Sequence, residues 1–287
     1  SFGPDYIYPA DVDVNDLERF KMFIAHRLEF LFLPNLRFAA SETIVYGGKY
    51  PDLQVFNPFI IYHNLYLKEW TNNLMTLELD YVPVPGLRLY GQFAMDQFST
   101  VFEKDTYGTD SEPNAMGFLG GLEFRRAAGP GHATAAVEVA RTDPWLYIRE
   151  HPLVSFFSTR RIHSESRKDI LGDRNYYFIN TPIGYSYGPD VFVGSLLVSY
   201  TVPESWSAYA EYRLVLDGEN GITTPYVTGD AAWDLRTPSG DENVINIATV
   251  GGWYRFSPRF SVFGEASFVY NDGENDIQLA SGLRYTF

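Results

Sequence analysis

Apolar and polar residues alternate with a period of two along most of the chain, most clearly at its end. In residues 276–287 one face carries Ile277, Leu279, Leu283 and Tyr285, and the opposite face is polar or small. Because successive side chains of a β-strand point to opposite faces, this stretch predicts a strand with one apolar and one polar face. Such a strand is typical of a transmembrane β-barrel between lipid and a polar lumen, although a soluble amphipathic strand shows the same pattern.

The same alternation recurs upstream, in stretches of mostly 11–14 residues. This is longer than the common strand of a globular protein and sufficient to cross a bilayer at a tilt. The predicted strands lie at 21–33, 36–47, 73–84, 86–98, 114–127, 133–146, 190–202, 206–217, 242–256, 260–271 and 276–287.

The connections give a second signal, because short turns with Pro or Gly alternate with long polar segments. Outer-membrane barrels have this parity, with short periplasmic turns and long extracellular loops, whereas sandwiches and propellers have no reason to keep it. The sequence therefore predicts an all-β, antiparallel up-and-down transmembrane barrel over 21–287, after an irregular segment at 1–20. It would lie in the outer membrane of a diderm bacterium with its C-terminus in the periplasm. The predicted extracellular loops are 48–72, 99–113, 147–189 and 218–241.

The parity also bears on the strand number. With 276–287 ending in the periplasm, eleven strands place residues 1–20 outside, whereas closed single-chain barrels usually have an even number of strands. Either 60–70 contain a further strand, which gives about twelve, or more strands precede Ser1 or belong to another chain. The sequence leaves both alternatives open.

Composition narrows the classes of function. The net charge of −14 would repel phosphates, so we expect no nucleic-acid partner. Cysteine is absent, the five histidines have no metal-binding spacing, and no stretch of about 18 apolar residues predicts a membrane helix. We find no hydrolase, phosphate-loop or dinucleotide motif, and therefore expect no catalytic residue, no metal and no cofactor.

Charges of both signs occupy the positions that alternate with the apolar ones. Their near-balance predicts cross-strand pairs that fill the barrel interior. The alternative is an ion or substrate path, for which a ring of one sign would be a stronger signal. The predicted lumen charge network comprises Arg27, Glu29, Arg88, Asp96, Glu123, Arg125, Glu211, Arg213, Glu265 and Arg284.

Glu42 is an exception to the alternation. A regular strand at 36–47 places this carboxylate on the lipid face, where it is costly. We expect either that Glu42 lies above the bilayer or that a β-bulge turns it inward.

The longest connection, 147–189, combines basic and aromatic residues. Aromatic faces can stack on sugar rings and Arg can bind carboxylates, which would suit an acidic surface polysaccharide. Equally, the segment could fold into the barrel mouth as a plug, with its aromatic residues as a small core. The candidate ligand-binding residues are Tyr147, Arg160, Arg161, Arg167, Tyr176, Tyr177, Tyr185 and Tyr187.

A family resemblance rests on several motifs in order. Residues 40–48 read ASETIVYGG, and they are followed by FNPF at 56–59, GLRLYGQFAMD at 86–96 and TPIGYSYGPD at 181–190. This order resembles the Wzi-type capsule-assembly family of outer-membrane barrels, taken in a broad sense. The resemblance implies an outer-membrane barrel that binds polysaccharide at the cell surface, and it transfers no catalytic residue.

Three functions follow from these observations. The first is binding or anchoring of surface polysaccharide through the extracellular loops, without enzymatic activity. The second is a porin or uptake channel for small solutes, and the third is a structural barrel subunit of a larger cell-envelope complex. The expected partners are the lipid bilayer and lipopolysaccharide, surface polysaccharide and envelope-complex subunits. Phe287 also resembles the C-terminal signature of outer-membrane barrels, which implies recognition by the barrel-assembly machinery.

Overall fold

The computed structural model describes residues 21–47, 53–62, 71–150, 152–163 and 176–286. Eleven antiparallel strands form one sheet, and two shorter strands form a separate hairpin. The strands of the sheet are β1 (Lys21–Leu33), β2 (Leu36–Gly47), β3 (Thr71–Val84), β4 (Leu87–Gln97), β5 (Ala115–Ala128), β6 (Gly131–Thr142), β9 (Val191–Val202), β10 (Trp206–Asp217), β11 (Asn243–Ser257), β12 (Phe260–Asn271) and β13 (Glu274–Tyr285), and the hairpin is β7 (Phe157–His163) with β8 (Tyr176–Pro182).

Each of the eleven predicted strands forms one strand of the sheet. Strands adjacent in the chain are adjacent in the sheet, and β6 pairs with β9 because the β7–β8 hairpin stands apart. The up-and-down antiparallel topology is therefore confirmed. The edge strands are β1 and β13, and no pairing joins them within the described residues.

The described part of the chain has eleven strands in the sheet and thirteen with the hairpin, against a prediction of about twelve. Residues 60–62 of the suggested extra strand form no strand. Residues 63–70 lie outside the described residues, as do 1–20 and Phe287. The predicted strand at 133–146 ends early, at Thr142, because Pro144 cannot donate to a strand ladder.

The alternation of short and long connections is also confirmed. Turns of two or three residues follow β1, β3, β5, β9 and β11, at one end of the sheet. At the other end, long connections follow β2, β4, β6 and β10. The remaining turn at that end is tight, since Asp272 and Gly273 both have positive φ (43° and 86°), as a two-residue hairpin requires.

Helices are few and short. The connection after β4 contains α1 (Val101–Tyr107), whose N-terminus has a capping box between Thr100 and Glu103. The connection after β10 contains α2 (Asp230–Asp234), and single 3-10 turns occupy Leu53–Phe56, Gly108–Asp110 and Pro152–Val154. No helix in the described ranges is long and apolar enough to span a bilayer.

The two faces of the sheet differ in chemistry. On the outer face, large apolar side chains stay exposed along the strands, including Ile277 (68%) and Leu279 (78%). Exposed apolar surface of this extent marks a face that meets lipid or another apolar partner. The buried apolar residues lie instead at the end of the sheet with the long connections, as Leu146 and Phe156 do.

Candidate functional site

The long connection after β6 folds back onto the inner face of the sheet. Leu146, Tyr147 and Phe156 are buried there against Val45 of β2 and Leu74 of β3. Backbone hydrogen bonds hold this region together. The N–H of Phe156 donates to Tyr147 O (2.8 Å), and the N–H of Ile183 donates to Phe156 O (2.8 Å). We call residues 143–150, 152–157 and 181–190 the mouth plug.

Glycines on the inner face allow the plug to approach the sheet closely. A Cβ added at Gly47 would lie 2.7 Å from the Cβ of Leu153, and one added at Gly117 would lie 2.8 Å from a methyl of Leu146. Both distances are shorter than van der Waals contact, so larger residues at these two positions would lift the plug off the sheet.

An ion pair at the centre of the plug ties it to β4. Arg149 Nη2 lies 3.1 Å from Asp96 Oδ1, and its Nε donates to Asn72 Oδ1 (2.9 Å). The amide of Asn72 and the N–H of Tyr147 both donate to Asp96 Oδ2. Burial alone lowers the pKa of Arg149, but Asp96 and Glu112 outweigh it and raise the pKa above its ordinary value. Arg149 therefore stays charged, and its pair with Asp96 joins the plug to β4.

A second buried carboxylate, Asp190, joins the plug to the connection after β10. It accepts the N–H groups of Asn220 (3.1 Å) and Ser239 (3.0 Å), and also the Ser239 hydroxyl. Its own N–H donates to Asp143 O (3.2 Å), at the start of the plug. Burial raises the pKa of Asp190, and the hydrogen bonds from Ser239 and Asn220 oppose this shift.

Trp145 makes a second link between the plug and the connection after β10. Its Nε1 donates to Ala232 O (3.2 Å), and its ring meets Tyr226 edge-on. From the same connection, Trp233 Nε1 donates to Ser111 Oγ (2.8 Å), beyond α1. Three of the four long connections thus interlock at the mouth through side-chain hydrogen bonds.

The predicted ligand-binding residues lie in different places at the mouth, some buried and some exposed. Tyr147 is buried in the plug, where its hydroxyl accepts the N–H of Tyr185 (3.2 Å), so its ring offers no face for stacking on a sugar. Tyr185 and Tyr187 lie beside each other, with ring centroids 5.8 Å apart. Arg160 is exposed on β7. Arg167 and the side chains of Arg161, Tyr176 and Tyr177 lie outside the described part of the chain.

Below the plug, one arrangement occurs twice on the inner wall. Tyr90, Gly121 and Glu138 are directly paired across β4, β5 and β6, and the Tyr90 hydroxyl donates to Glu138 (2.8 Å) over the glycine. The missing side chain makes room for the ring, since a Cβ at Gly121 would lie 2.1 Å from it. Tyr209, Gly251 and Glu265 repeat this arrangement across β10, β11 and β12. Both rings therefore lie along the wall.

The predicted lumen charges make contacts with neighbouring residues, and on β1 to β4 these contacts continue from one residue to the next, because Glu29 lies within ion-pair distance of both Arg27 (3.4 Å) and Arg37 (3.7 Å). On β1 to β4, for example, Asp80 lies between Arg37 (3.0 Å) and Arg88 (2.7 Å). The other side-chain contacts are Arg27 with Glu78 and Glu29, Asp96 with Arg149, Arg125 with His132, Glu211 with Arg213, and Glu265 with Tyr209. For the last two predicted residues the structure gives the register: Glu123 is paired with Arg88, and Arg284 is paired with Ser261.

Glu42 lies on the outer face, so of the two alternatives the inward-turning bulge is wrong. The register of β1 with β2 is regular through His26 and Glu42. Residues 53–62, which we call the outer cap, cover this part of the sheet, and Val55 and Tyr62 pack with Ile44 and Tyr46. Glu42 accepts the N–H of Tyr62 (2.9 Å) and lies 3.3 Å from His26 Nε2. A loop satisfies this carboxylate; its height relative to the bilayer stays a prediction.

Sequence reasoning missed the residues that hold the mouth together. Arg149 was visible as a base in a long connection, but nothing local links it to Asp96, 53 residues earlier. Asp190 follows Gly188 and Pro189 and precedes a strand. The Gly-Pro pair predicts a turn, but it does not indicate which residues bind the Asp190 carboxylate. The β7–β8 hairpin was also missed, because its strands have only seven residues each.

No family model matches the chain, and no curated protein matches it. Among solved structures it is similar to Wzi, an outer membrane protein involved in group 1 capsule assembly in Escherichia coli and a carbohydrate-binding β-barrel. The TM-score is 0.57 at 14% identity, and the match covers 92% of this chain and 51% of Wzi, so the chain spans about half the length of Wzi.

Two further matches are weaker. A loop-deletion mutant of OmpT, an outer membrane protein of Vibrio cholerae, gives a TM-score of 0.41 at 12% identity over 99% of this chain and 70% of that chain. The KdgM porin gives 0.28 at 8% identity over 93% and 99%. The likeness to Wzi establishes the fold, and the chain has the fold of an outer-membrane β-barrel.

Proposed function

We propose that this chain lies in a bacterial outer membrane with its long connections outside, and that it binds an acidic surface polysaccharide there without acting as an open channel. The observation that carries the proposal is the division of the longest connection. Its two ends pack into the mouth, while β7 and β8 form a hairpin between them. Among the residues that the structure describes, these two strands pair only with each other, and Arg160 is exposed on β7.

The plug supports binding over conduction. Its core of Leu146, Tyr147 and Phe156 and its ion pair between Arg149 and Asp96 occupy the mouth through which a solute would enter. A buried ion pair of this kind is costly to open, because separating its members leaves a charge unpaired. Wzi is itself a carbohydrate-binding β-barrel, and sharing that property is part of this proposal.

The test measures polysaccharide binding by the full chain in detergent micelles. Alginate, a polymer of uronic acids, is the probe, and neutral dextran of matched length is the comparison. In one variant Asn-Gly replaces residues 160–179, joining Thr159 to Asn180, whose side chains already meet across the hairpin (2.7 Å). We expect this variant to lose alginate binding and Arg160→Gln to weaken it, since charge-assisted hydrogen bonds to carboxylate are lost.

Arg259→Gln is the matched control, because Arg259 is an exposed arginine in a short turn at the opposite end of the sheet. It should bind alginate as the unaltered protein does. Heat-modifiable mobility in gels reports whether each variant is folded. Equal alginate binding by the shortened-hairpin variant would contradict the proposal, as would a steady open pore in planar bilayers.

A further inference from the structure

An apolar groove of about 620 Å³ crosses the outer face of the sheet from β2 to β6. Its floor is a directly paired couple of glycines, Gly91 on β4 and Gly120 on β5. Phe38, Leu79 and Val139 complete the same cross-strand row. A Cβ added at Gly120 would meet no atom within 4 Å, so the depression exists because side chains are missing there.

The next row towards the mouth forms one wall of the groove. Phe93 and Phe118 are paired on neighbouring strands, with ring centroids 5.1 Å apart. Phe118 is in turn in register with Arg141 on β6. Arg141 therefore closes this row and adds a cation to a groove that is otherwise lined almost wholly by apolar groups.

The groove runs obliquely across the sheet, and its end on β6 lies closer to the mouth than its end on β2. Phe38 is the third of twelve residues in β2, counted from the short-turn end, whereas Val139 is the ninth of twelve in β6 and Arg141 the eleventh. Four strand spacings separate the two ends, or about 19 Å. One leaflet of a bilayer core is about 15 Å thick, so an acyl chain lying obliquely fits this length.

The cation at the upper end is accessible. Arg141 Nη2 lies 3.2 Å from Asp143 Oδ1, and 43% of the Arg141 side chain is still exposed. A guanidinium has five N–H donors in a planar fork that matches phosphate oxygens. One carboxylate neighbour therefore leaves donors for a phosphate.

We infer that this groove binds one lipid, with an acyl chain over Gly91 and Gly120 and a phosphate at Arg141. The occupant is a phosphorylated glycolipid of the outer leaflet, of the lipid A type, because Arg141 lies at the end of the sheet that bears the long connections. An inner-leaflet phospholipid would place its phosphate at the opposite end. The choice of leaflet rests on the orientation in the proposed function.

The experiment titrates bis-phosphorylated lipid A against the delipidated full chain in mild detergent and counts bound lipids by native mass spectrometry. The unaltered protein should retain one lipid A. Gly120→Val places a side chain in the groove at a position where a Cβ meets no atom within 4 Å, and it should weaken retention about tenfold or more. Arg141→Gln should weaken retention of lipid A to a similar extent and leave retention of its dephosphorylated form unchanged.

Gly264→Val is the matched control. Gly264 lies on the outer face of β12, outside the groove, and a Cβ there also meets nothing within 4 Å. Retention of lipid A by Gly120→Val equal to that by Gly264→Val would overturn the inference. Preferential retention of phosphatidylglycerol, lost in Gly120→Val, would overturn the assignment to the outer leaflet. The Arg160→Gln variant, which tests polysaccharide binding, should retain lipid A normally, so the two proposals fail separately.

Discussion

The mouth plug and the outer cap are connections that fold onto opposite faces of one sheet. The plug covers the inner face of β2 to β4, and the cap covers the outer face of β1 and β2. Each covers a carboxylate in the upper part of a strand: Asp96, which is buried under the plug, and Glu42, whose side chain stays 13% exposed under the cap. The alternation within a strand decides which carboxylate points to which side.

The two carboxylates are satisfied differently. Asp96 meets a full cation, Arg149, and accepts two further hydrogen bonds. Glu42 meets a backbone N–H from Tyr62 and the imidazole of His26, which stacks on the Tyr62 ring at 4.4 Å. Removing the guanidinium leaves the fully buried Asp96 carboxylate without its charged partner, whereas Glu42 is partly exposed and keeps a second hydrogen-bond partner when one is lost. The plug should therefore respond more to the loss of one partner than the cap does.

The largest effect is expected from Arg149→Met. This change leaves the Asp96 carboxylate buried without its cation, which should destabilise the docked plug by about 3–5 kcal/mol. Hydrogen exchange at the amide of Phe156, which is bonded to Tyr147 O, measures this opening. The amide of Ile60 in the outer cap should exchange as before.

A double variant sharpens this test. Asp96→Leu combined with Arg149→Met replaces the pair by apolar groups and should recover part of the lost protection, since buried ion pairs are often exchangeable for apolar packing. If Arg149→Met alone left the exchange of Phe156 unchanged, the ion pair would not hold the plug. In planar bilayers the single variant should also show openings that the unaltered protein lacks.

A smaller effect is expected at the outer cap. Glu42→Leu leaves the N–H of Tyr62 without this acceptor and should cost about 1–3 kcal/mol of cap docking. Glu42→Gln keeps an acceptor oxygen and should cost less. Limited proteolysis within 53–62 measures cap release, and exchange at Phe156 should not change. Equal protease sensitivity of the two variants would show that the Tyr62 contact is not what holds the cap.

The strands of both regions could be predicted because apolar and polar residues alternate along each of them. The pattern placed Asp96 inside and Glu42 outside, and both placements agree with the register. The turn parity also predicted that the long connections lie at one end of the sheet, and the strand order confirms this. These are local properties, which a single sequence carries.

What covers each carboxylate was not predictable, because the partners come from distant connections. Arg149 lies 53 residues after Asp96, and Tyr62 lies 20 after Glu42 in a segment without strand alternation. In principle the sequence predicts the arrangement of Tyr90, Gly121 and Glu138. The turn lengths set the strand register, and this register places the glycine between the tyrosine and the glutamate. Reading it requires pairing three strands at once.

The smallest expected effect is a pH dependence confined to the mouth. Burial raises the pKa of Asp190 above the value of about 3.9 that it has in an open chain, and Asp143 beside it is shifted in the same direction by burial. A raised pKa means that the docked mouth binds the proton more tightly than the open one. This contribution to docking is therefore present at acid pH and is lost as the pH rises through the folded-state pKa.

Asp190→Asn removes one of these titrating groups and should flatten the pH dependence without abolishing it, because Asp143 still titrates. Exchange at the amide of Gly218, which is bonded to Asp190 O (2.9 Å), reports docking once intrinsic rates are corrected for pH. Protection of Gly218 should be greater at acid than at neutral pH in the unaltered protein, and this difference should be smaller in the variant. Exchange at Ile60 gives the reference from the outer cap. Protection of Gly218 that rises with pH would mean that the hydrogen bonds from Ser239 and Asn220, which favour the carboxylate, outweigh its burial.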